Sequence, residues 1–223
     1  MGWLAQFKSV LEGNAKPSPS MRDIFSDIYK RRVWGDGESV SGPGSSLART
    51  SVFRDEVATL LRTIKAGSLL DAACGDFNWL KEMRLDSVRY TGVDIVPELV
   101  LRNQQAYGNS TRTFLNLDIT IDVLPPADVI LCRDALVHFS VADIVAAIQN
   151  FKKSKSTYLL TTTFTSFGEN TDIRTGDWRQ INLQISPFHF PQPLILIDEK
   201  CDHSEGVFLD KGLALWALDD IRL

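Results

Sequence analysis

The chain has no long apolar run and few cysteines, and both absences narrow the classes of protein to which it can belong. No stretch approaches the roughly 18 apolar residues of a membrane-spanning helix. The three cysteines, Cys74, Cys132 and Cys201, have neither the close pairing of a disulfide scaffold nor metal-ligand spacing. The first residues also lack the basic flank and apolar core of a secretory signal. We therefore expect a cytoplasmic protein with reduced thiols, no metal site and no membrane partner.

Positive charge is also scarce in this sequence. The chain has 24 Lys and Arg against 28 Asp and Glu, a net charge of -4 and a pI near 5.4. Proteins that bind nucleic acid or anionic membranes in general carry an excess of basic residues, so the sequence argues against both partners. The 223 residues, 44% of them hydrophobic, predict one globular domain with a sizeable core.

Glycine is sparse where a nucleotide-binding turn would need it. Residues 69–80 read LLDAACGDFNWL, a buried strand that runs into a turn of small residues. A dinucleotide-binding turn has the pattern G-x-G-x-x-G, because its backbone packs on a pyrophosphate. Here Gly75 stands alone and Phe77 takes the place of a later glycine. The turn therefore argues against NAD or FAD, and less strongly against a cofactor without phosphates.

The apolar periodicity predicts one α/β domain with a helical cap before it. We assign residues 1–46 to that cap and to a covering loop, and residues 47–223 to the main domain. The cap contains short helices within Gly2–Leu11 and Met21–Arg32, followed by the Gly- and Ser-rich stretch Trp34–Ser46, for which a flexible linker is the alternative. A helical stripe of apolar residues begins after Leu47 and is closed by Gly67.

Seven apolar segments are predicted to be strands. They are Ser68–Ala72, Val88–Val93, Thr113–Leu117, Asp128–Cys132, Thr157–Phe164, Leu194–Ile197 and Gly212–Ala217. Helices fit between the first five, one with Pro97 as its first residue and one capped by Ser140. Such alternation predicts a doubly wound, mostly parallel seven-stranded sheet, and the last two strands are predicted to pair in an antiparallel manner.

Acidic residues stand at or just beyond the ends of four successive predicted strands: Asp71, Asp94, Asp118 and Asp134. Ligands of such sheets bind outside the carboxyl ends of the strands, and a carboxylate after the second strand can accept from both ribose hydroxyls. Each acid taken alone can equally be the cap of a following helix. The repetition over four strands favours a binding site.

These segments together resemble the class I S-adenosylmethionine-dependent methyltransferases, which have a Rossmann-like fold. LLDAACGDFNWL is similar to their first motif, YTGVDIVPELV to their second, and LNLDIT and VILCRDALVHFS to their third and fourth. The resemblance is closer to a group of small bacterial and phage-borne members with a CGDFNW-type turn. That group shares the Trp34–Ser46 segment, TGDWRQINL and PFHFPQP.

The resemblance implies S-adenosyl-L-methionine as the cofactor and a role for each matching residue. Asp71 and the turn from Ala73 to Phe77 would hold its amino-acid end, Asp94 its ribose and Asp118 its adenine amino group. The loop over the cofactor adds Trp34, Gly42 and Ser45. The implied cofactor-binding residues are Trp34, Gly42, Ser45, Asp71, Ala73, Cys74, Gly75, Asp76, Phe77, Asp94, Ile95, Asp118, Ile119, Cys132 and Arg133.

Transfer of a methyl group to a hydroxyl requires a base for the departing proton. His138 follows the fourth strand and has an ordinary pKa near neutrality, which makes it the first candidate. Asp134 is the second. The alternatives are that His138 packs before the helix cap and that Asp134 anchors the loop at Arg133.

The segment Ser166–Pro193 is long for a connection between strands and is predicted to bind the acceptor. Trp178 supplies an aromatic face, and Arg174, Arg179 and Asn182 supply hydrogen-bond donors, a combination that suits a sugar or an anionic group. A surface flap or a contact in a homodimer is the alternative.

The sequence thus predicts a small-molecule methyltransferase whose acceptor is a hydroxyl of a sugar or glycan-linked substrate. Two alternatives stay open: a protein that binds the cofactor without transferring its methyl group, and an N-methyltransferase of a small amine. Residues 124–128, LPPAD, only superficially match an amino-methylating DNA enzyme, because they precede the fourth strand.

Overall fold

The computed structural model describes residues 18–35, 37–85, 87–201 and 208–223. The helix predicted within Gly2–Leu11 lies outside the described residues. The strands are β1 (Ser68–Ala72), β2 (Arg89–Asp94), β3 (Arg112–Asn116), β4 (Val129–Cys132), β5 (Tyr158–Phe164), β6 (Ile195–Asp198) and β7 (Lys211–Ala217). They form one seven-stranded sheet in the order β3-β2-β1-β4-β5-β7-β6. The predicted fold class, a mostly parallel doubly wound sheet, is confirmed.

The strand directions bring most functional positions to one edge of the sheet. Strands β1 to β5 run parallel to one another, while β7 runs antiparallel to both β5 and β6. The carboxyl ends of β1 to β6 and the amino end of β7 therefore lie on the same side, which we call the carboxyl edge. The predicted antiparallel pairing of the last two strands is confirmed.

Local sequence signals set the helix ends. The helices are α1 (Met21–Lys30), α2 (Leu47–Thr63), α3 (Pro97–Tyr107) and α4 (Val141–Lys153). Helix α1 starts in a capping box between Ser20 and Asp23, and the Ser140 hydroxyl caps α4 by accepting from the Asp143 amide. Pro97 begins α3 as predicted. None of the helices in the described ranges is long and apolar enough to cross a bilayer.

The prediction of helices between all of the first five strands was wrong in two places. The described part of the β1–β2 connection forms only a 3-10 turn, Leu80–Glu82, in which Leu80 is buried. The β3–β4 connection has no helix; it contains Pro125 and Pro126, which lack the backbone N–H that a helix interior requires.

Alternate residues of the central strands feed two cores, one on each face of the sheet. Leu70 and Ile130 belong to the core that also contains Phe25 of α1 and Ile144 of α4. Their strand neighbours Leu69, Val129 and Leu131 belong to the other core, which α2 covers with Phe53 and Val57. Because both faces are covered, the central strands are apolar throughout, as expected for a parallel sheet.

Candidate active site

A cavity of about 750 Å³ lies between the carboxyl edge and the segment that precedes α2. The sheet order gives the cavity two halves. One half lies at the ends of β1, β2 and β3, and the other at the ends of β4 to β7. The predicted site residues that line it are Trp34, Gly42, Ser45, Asp71, Ala73, Cys74, Gly75, Asp94, Ile95, Asp118, Ile119, Arg133, Asp134, His138 and Trp178.

The turn after β1 is tied to the end of β2 by one carboxylate. The Gly75 amide donates to Asp94 Oδ2 and the Val96 amide donates to Asp94 Oδ1, each at 3.0 Å. Gly75 has φ +55, and a Cβ there would collide with the Ser41 hydroxyl. Burial raises the pKa of Asp94 above its ordinary value, against the lowering effect of these amides. The turn therefore needs glycine both for its backbone angle and for the space it leaves.

Asp71 is a deeply buried acid of the cavity wall, only 3% exposed. The Tyr90 hydroxyl donates to Asp71 Oδ2 at 2.7 Å. Burial raises the pKa of Asp71 to about 7, despite the hydrogen bond from Tyr90, which lowers it. The carboxyl group consequently changes charge close to neutral pH, so a cationic group bound beside it would favour its ionised form.

Asp118 follows β3 and keeps one oxygen available to a ligand. Its Oδ1 accepts from the Thr120 amide at 2.8 Å and from the Thr120 hydroxyl at 2.6 Å. Its Oδ2 has no hydrogen-bond partner among the described residues. Ile119, beside it in the cavity wall, is apolar and buried. An acceptor oxygen next to an apolar surface suits the amino group and the face of a purine.

The segment before α2 is fastened over this half of the cavity. The Arg22 guanidinium of α1 donates to the Ile95 carbonyl at 2.7 Å. Further along, the Ser39 hydroxyl and the Val40 amide each donate to Asp76 Oδ2 at 2.9 Å. Asp76 was predicted to touch the cofactor, but its carboxylate instead anchors this segment and does not line the cavity.

The other half of the cavity has a cluster of four charged side chains, which we call the ion cluster: Arg133, Asp134, Glu199 and Lys211. Arg133 pairs with Glu199 through two hydrogen bonds and lies 3.2 Å from Asp134. The Lys211 ammonium lies 2.9 Å from Asp134 and 3.1 Å from Glu199. The two cations hold the pKa of Asp134 well below its ordinary value, although burial opposes them.

Sequence reasoning missed Glu199 and Lys211. The signal was present: Glu199 directly follows β6 and Lys211 begins β7. Because β7 runs antiparallel to its neighbours, its first residue reaches the carboxyl edge just as the last residue of a parallel strand does. A charged residue just after β6 or at the start of β7 therefore lies at the carboxyl edge. The sequence could indicate this only once the direction of β7 was known.

His138 lies in a 3-10 turn between β4 and α4 and lines the cavity. Its Nδ1 lies 2.8 Å from the Asp177 carbonyl oxygen. Because a carbonyl can only accept, the proton of the neutral ring resides on Nδ1, and Nε2 keeps a free lone pair. Burial lowers the pKa of His138, although the Asp177 carbonyl and the Asp134 charge raise it. The ring is thus neutral and basic at Nε2 near pH 7.

Three aromatic rings form a wall beside the ion cluster. Trp178 meets Phe208 edge-on at 5.5 Å and Phe164 at 6.4 Å between ring centroids. Trp178 is 48% exposed, so much of its indole surface is available to a ligand. All three rings line the cavity.

Several residues predicted for the site lie outside the cavity. Phe77 is buried in the second core, against Tyr90 and Phe114, and the Cys132 side chain is buried in the first. The residues outside the cavity are Asp76, Phe77, Cys132, Arg174, Arg179 and Asn182.

Two of the side chains predicted to donate hydrogen bonds to the acceptor donate instead to backbone carbonyls of the protein. The Arg179 guanidinium donates to the Leu136 and Phe139 carbonyls at 2.9 and 2.8 Å. The Asn182 amide donates to the Thr165 and Phe167 carbonyls. Arg174 is exposed and away from the cavity. These contacts fix the loop against β5 and the His138 turn, and Trp178 is the one predicted acceptor residue that the structure brings to the cavity.

Comparison with known proteins places the chain in a family. Residues 47–193 match a family described as a methyltransferase domain. No curated protein matches the chain. Human N-acetylserotonin methyltransferase in complex with SAM has a TM-score of 0.60 at 14% identity, and the alignment covers 96% of this chain and 65% of that one.

Two further solved structures are similar over most of both chains. Magnesium protoporphyrin IX methyltransferase from Synechocystis PCC 6803 with bound SAM has a TM-score of 0.59 at 16% identity, covering 91% of this chain and 99% of that one. Burkholderia thailandensis 1,6-didemethyltoxoflavin-N1-methyltransferase has a TM-score of 0.58 at 15% identity, covering 97% and 91%. At these identities the likeness establishes the fold. Since the family match spans most of its length, the chain belongs to the methyltransferase-domain family.

Proposed function

We propose that the protein transfers a methyl group from S-adenosyl-L-methionine to a small-molecule hydroxyl, most specifically one on a sugar or a glycan-linked substrate. The observation that carries this proposal is the two-part cavity. Acids suited to an adenosine lie at the ends of β1 to β3, and a neutral histidine with an aromatic wall lies at the ends of β4 to β7. The segment before residue 47 covers the cofactor, and residues 47–223 form the transferase domain.

The cofactor half fits an amino-acid-tailed adenosine. Asp94 at the end of β2 would accept from the ribose hydroxyls, and Asp118 Oδ2, which has no partner among the described residues, would accept from the adenine amino group. Asp71 offers a carboxyl group with a pKa of about 7 to the ammonium of the tail. The turn has a single glycine amide at its tip, which suits this ligand better than a pyrophosphate.

When bound, the cofactor would supply a methyl carbon on a positively charged sulfur, which the hydroxyl oxygen of the acceptor would displace. His138 accepts the hydroxyl proton at Nε2. The Asp177 carbonyl keeps the other ring proton on Nδ1, and the His138 ring is already neutral because burial lowers its pKa. The segment fastened by Asp76 excludes water from the reacting atoms.

Asp134 is assigned to binding, and the base role falls to His138. Arg133 and Lys211 stabilise the Asp134 carboxylate, which lowers its pKa and makes it a poor acceptor of a full proton at neutral pH. The Asp134 side chain is 27% exposed. It can therefore accept a hydrogen bond from a neighbouring hydroxyl of the acceptor.

The proposal of a sugar acceptor rests on Trp178 and the ion cluster. An exposed indole next to charged hydrogen-bonding groups suits a molecule that has one apolar face and a rim of hydroxyls. Lys211 already contacts Asp134 and Glu199, and Arg133 is paired with the same two acids. With these cations neutralised, the floor of this half favours an uncharged acceptor over a phosphate or sulfate.

One observation favours a second candidate, N-methylation of a small amine. The carboxylate of Asp134 stays ionised at neutral pH and is 27% exposed, so it can accept a hydrogen bond from a protonated amine. His138 would then remove a proton from the amine before transfer. Parallel assays with amino sugars and neutral sugars distinguish the two activities, and cofactor binding without transfer to any acceptor would indicate a regulatory protein.

The cofactor proposal is tested by calorimetry with S-adenosylmethionine and its demethylated product. We expect Asp94→Ala to weaken binding about 10- to 100-fold, the effect of losing a charged hydrogen-bond acceptor. Asp128→Ala is the matched control, since Asp128, like Asp94, accepts from a backbone amide, in its case together with the Ser68 hydroxyl, but precedes β4 at the opposite edge. No heat of binding with the wild-type protein would contradict the cofactor.

The acceptor proposal is tested by screening saccharides and glycan extracts with cofactor labelled in its methyl group. For an acceptor found in this way, Trp178→Ala should raise KM about tenfold, which corresponds to ~1.4 kcal/mol of lost contact. The affinity for the cofactor should not change. Label transfer to amines alone would replace the sugar by the second candidate.

A further inference from the structure

Two segments that border the cavity both contact the His138 ring: the segment before α2 and the segment Ser166–Pro193. On one side, the Asp177 carbonyl of the segment Ser166–Pro193 accepts from Nδ1 at 2.8 Å. On the other side, the indole of Trp34 stacks on the ring with 4.2 Å between centroids and 28° between planes. The first contact fixes one ring nitrogen, and the second fixes the plane of the ring.

Trp34 is itself packed, with its ring against Phe25 and its backbone against Gly42. Phe25 of α1 lies 5.9 Å from the Trp34 ring, and Phe25 in turn packs 5.7 Å from Phe139, the neighbour of His138. Gly42 approaches the backbone of Trp34: its φ is +95, and a Cβ there would lie 3.3 Å from the Trp34 carbonyl oxygen and 3.4 Å from the Trp34 Cβ. The position of the indole is therefore set by the fold of the segment before α2.

A hydrogen bond from Nδ1 does not by itself fix an imidazole. The ring can rotate about its bond to Cβ, and a rotation that breaks the contact with Asp177 lets the proton move to Nε2, the tautomer that free histidine prefers. An aromatic ring stacked on one face opposes this rotation, because tilting the ring would lose the face-to-face contact.

We propose that Trp34 is a positioning residue that keeps the His138 ring in the plane where Nδ1 binds the Asp177 carbonyl and Nε2 stays free for the acceptor proton. This inference rests on the proposed function for its effect on turnover. It makes the segment before α2 part of the catalytic apparatus, because that segment orients the base as well as covering the cofactor.

The charged groups near the His138 ring shift its pKa but do not fix its orientation. Asp134 on the β4 side raises the pKa of His138, while Arg179 of the loop and Lys211 of β7 lower it. None of them is hydrogen-bonded to a ring nitrogen of His138, whose only such partner among the described residues is the Asp177 carbonyl. The plane of the ring consequently depends on packing, and Trp34 is the residue stacked on it.

The decisive measurement is the nitrogen chemical shifts of His138 in ¹⁵N-labelled protein, which distinguish the two neutral tautomers. The chain has only three histidines, and the His138 signals are the ones missing from His138→Ala. We expect the proton on Nδ1 in the wild type. In Trp34→Ala we expect a shift towards the Nε2-protonated form, and in Trp34→Phe, which keeps a ring, the wild-type pattern.

Kinetics give the second readout. At saturating cofactor, which is needed because Trp34 also lines the cavity, Trp34→Ala should lower kcat about 10- to 100-fold, the effect of a misplaced catalytic group, and Trp34→Phe should restore most of it. Arg31→Ala is the control from the same segment, since Arg31 is exposed and, within the described part of the chain, forms an ion pair only with Asp27 on the surface. If Trp34→Ala does not fold, Trp34→Leu, which keeps apolar bulk without a flat face, takes its place and should behave as Trp34→Ala does.

Unchanged nitrogen shifts in a folded Trp34→Ala or Trp34→Leu protein would overturn the proposal, whatever the kinetics show. The chemical shifts are measured without any acceptor. A failure to detect methyl transfer would therefore count against the proposed function and leave the positioning of His138 by Trp34 decided on its own evidence.

Discussion

Arg133 and Glu199 form a two-pronged ion pair in the interior, with Nε 3.1 Å from Oε1 and Nη2 2.7 Å from Oε2. The two residues are 66 positions apart in the chain, one after β4 and the other after β6. The pair joins the central part of the sheet to its edge beneath the cavity, and Lys211 connects it to Asp134.

Removing Glu199 should destabilise the fold strongly. Glu199→Ala leaves the Arg133 charge buried with only Asp134 beside it, and breaking a buried pair in this way costs about 3–5 kcal/mol. The free energy of unfolding in urea measures the loss. The surface pair of Lys200 with Glu56 is the control, and Glu56→Ala should cost less than about 1 kcal/mol. Equal losses in the two variants would show that the buried pair contributes nothing special.

Cofactor affinity should rise with pH around neutrality. The pKa of Asp71 is about 7, and its ionised form attracts the ammonium of the cofactor tail. Raising the pH through that pKa should strengthen binding, up to about tenfold per pH unit below it. Calorimetry over this range should show the increase in the wild type and not in Asp71→Asn. A flat profile in the wild type would remove Asp71 from the cofactor site.

Ionisation of the Asp71 carboxyl group should lower the free energy of unfolding. Its pKa rises from 3.8 in the unfolded chain to about 7 in the fold, so the folded state binds the proton more tightly. Its contribution to stability is therefore present at low pH and is lost as the pH rises from about 4 to about 7. Chemical denaturation across this pH window measures the free energy of unfolding of both proteins. The value for Asp71→Asn minus the value for the wild type should increase steadily with pH.

Gly75→Ala should weaken both the turn and the cofactor site. An alanine there would be strained at φ +55 and would press on the Ser41 hydroxyl, which accepts from the Asp76 amide. We expect a loss of about 1 kcal/mol from backbone strain alone and at least a tenfold weaker cofactor affinity. Gly168→Ala is the control, because a Cβ at Gly168 meets nothing within 4 Å. Wild-type affinity in Gly75→Ala would show that the turn tolerates a side chain.

The rate of methyl transfer should fall at acidic pH as His138 takes up a proton. Burial lowers the pKa of His138 below 6.5, so the base is fully active at pH 7 and is lost only as the pH falls through that lowered value. His138→Ala should remove this limb of the kcat/KM profile and lower kcat by about 10²–10⁴. His189→Ala, an exposed histidine away from the cavity, should keep the wild-type profile. An unchanged profile in His138→Ala would assign the ring to packing.

Much of the scaffold could be predicted because its signals are local. The strand bounds agree with the predicted ones to within one or two residues, and Pro97 and Ser140 begin their helices as expected. Asp71, Asp94 and Asp118, at or near the carboxyl ends of β1, β2 and β3, were found because parallel strands place their ends together. The likeness to the narrower group with a CGDFNW-type turn stays a prediction.

What could not be predicted is the direction in which side chains point. Phe77 and Asp76 belong to the turn by sequence, yet one is buried in the core and the other binds the segment before α2. Arg179 has the chemistry of a ligand-binding residue, but the carbonyls of the His138 turn take its donors. The type of a residue does not show which of its possible hydrogen-bond partners lies beside it in the folded protein.

The order of the strands, the family and the acids of the cofactor half could be read from the amino-acid pattern, because those depend on periodicity and on strand ends. The acceptor half depends on the packing of the folded chain. The reversed direction of β7 brings Lys211 to the ion cluster, and the fold of the first described segment stacks Trp34 on His138. Both contacts join residues that are far apart in the chain, and their partners are chosen by packing, which no local pattern records.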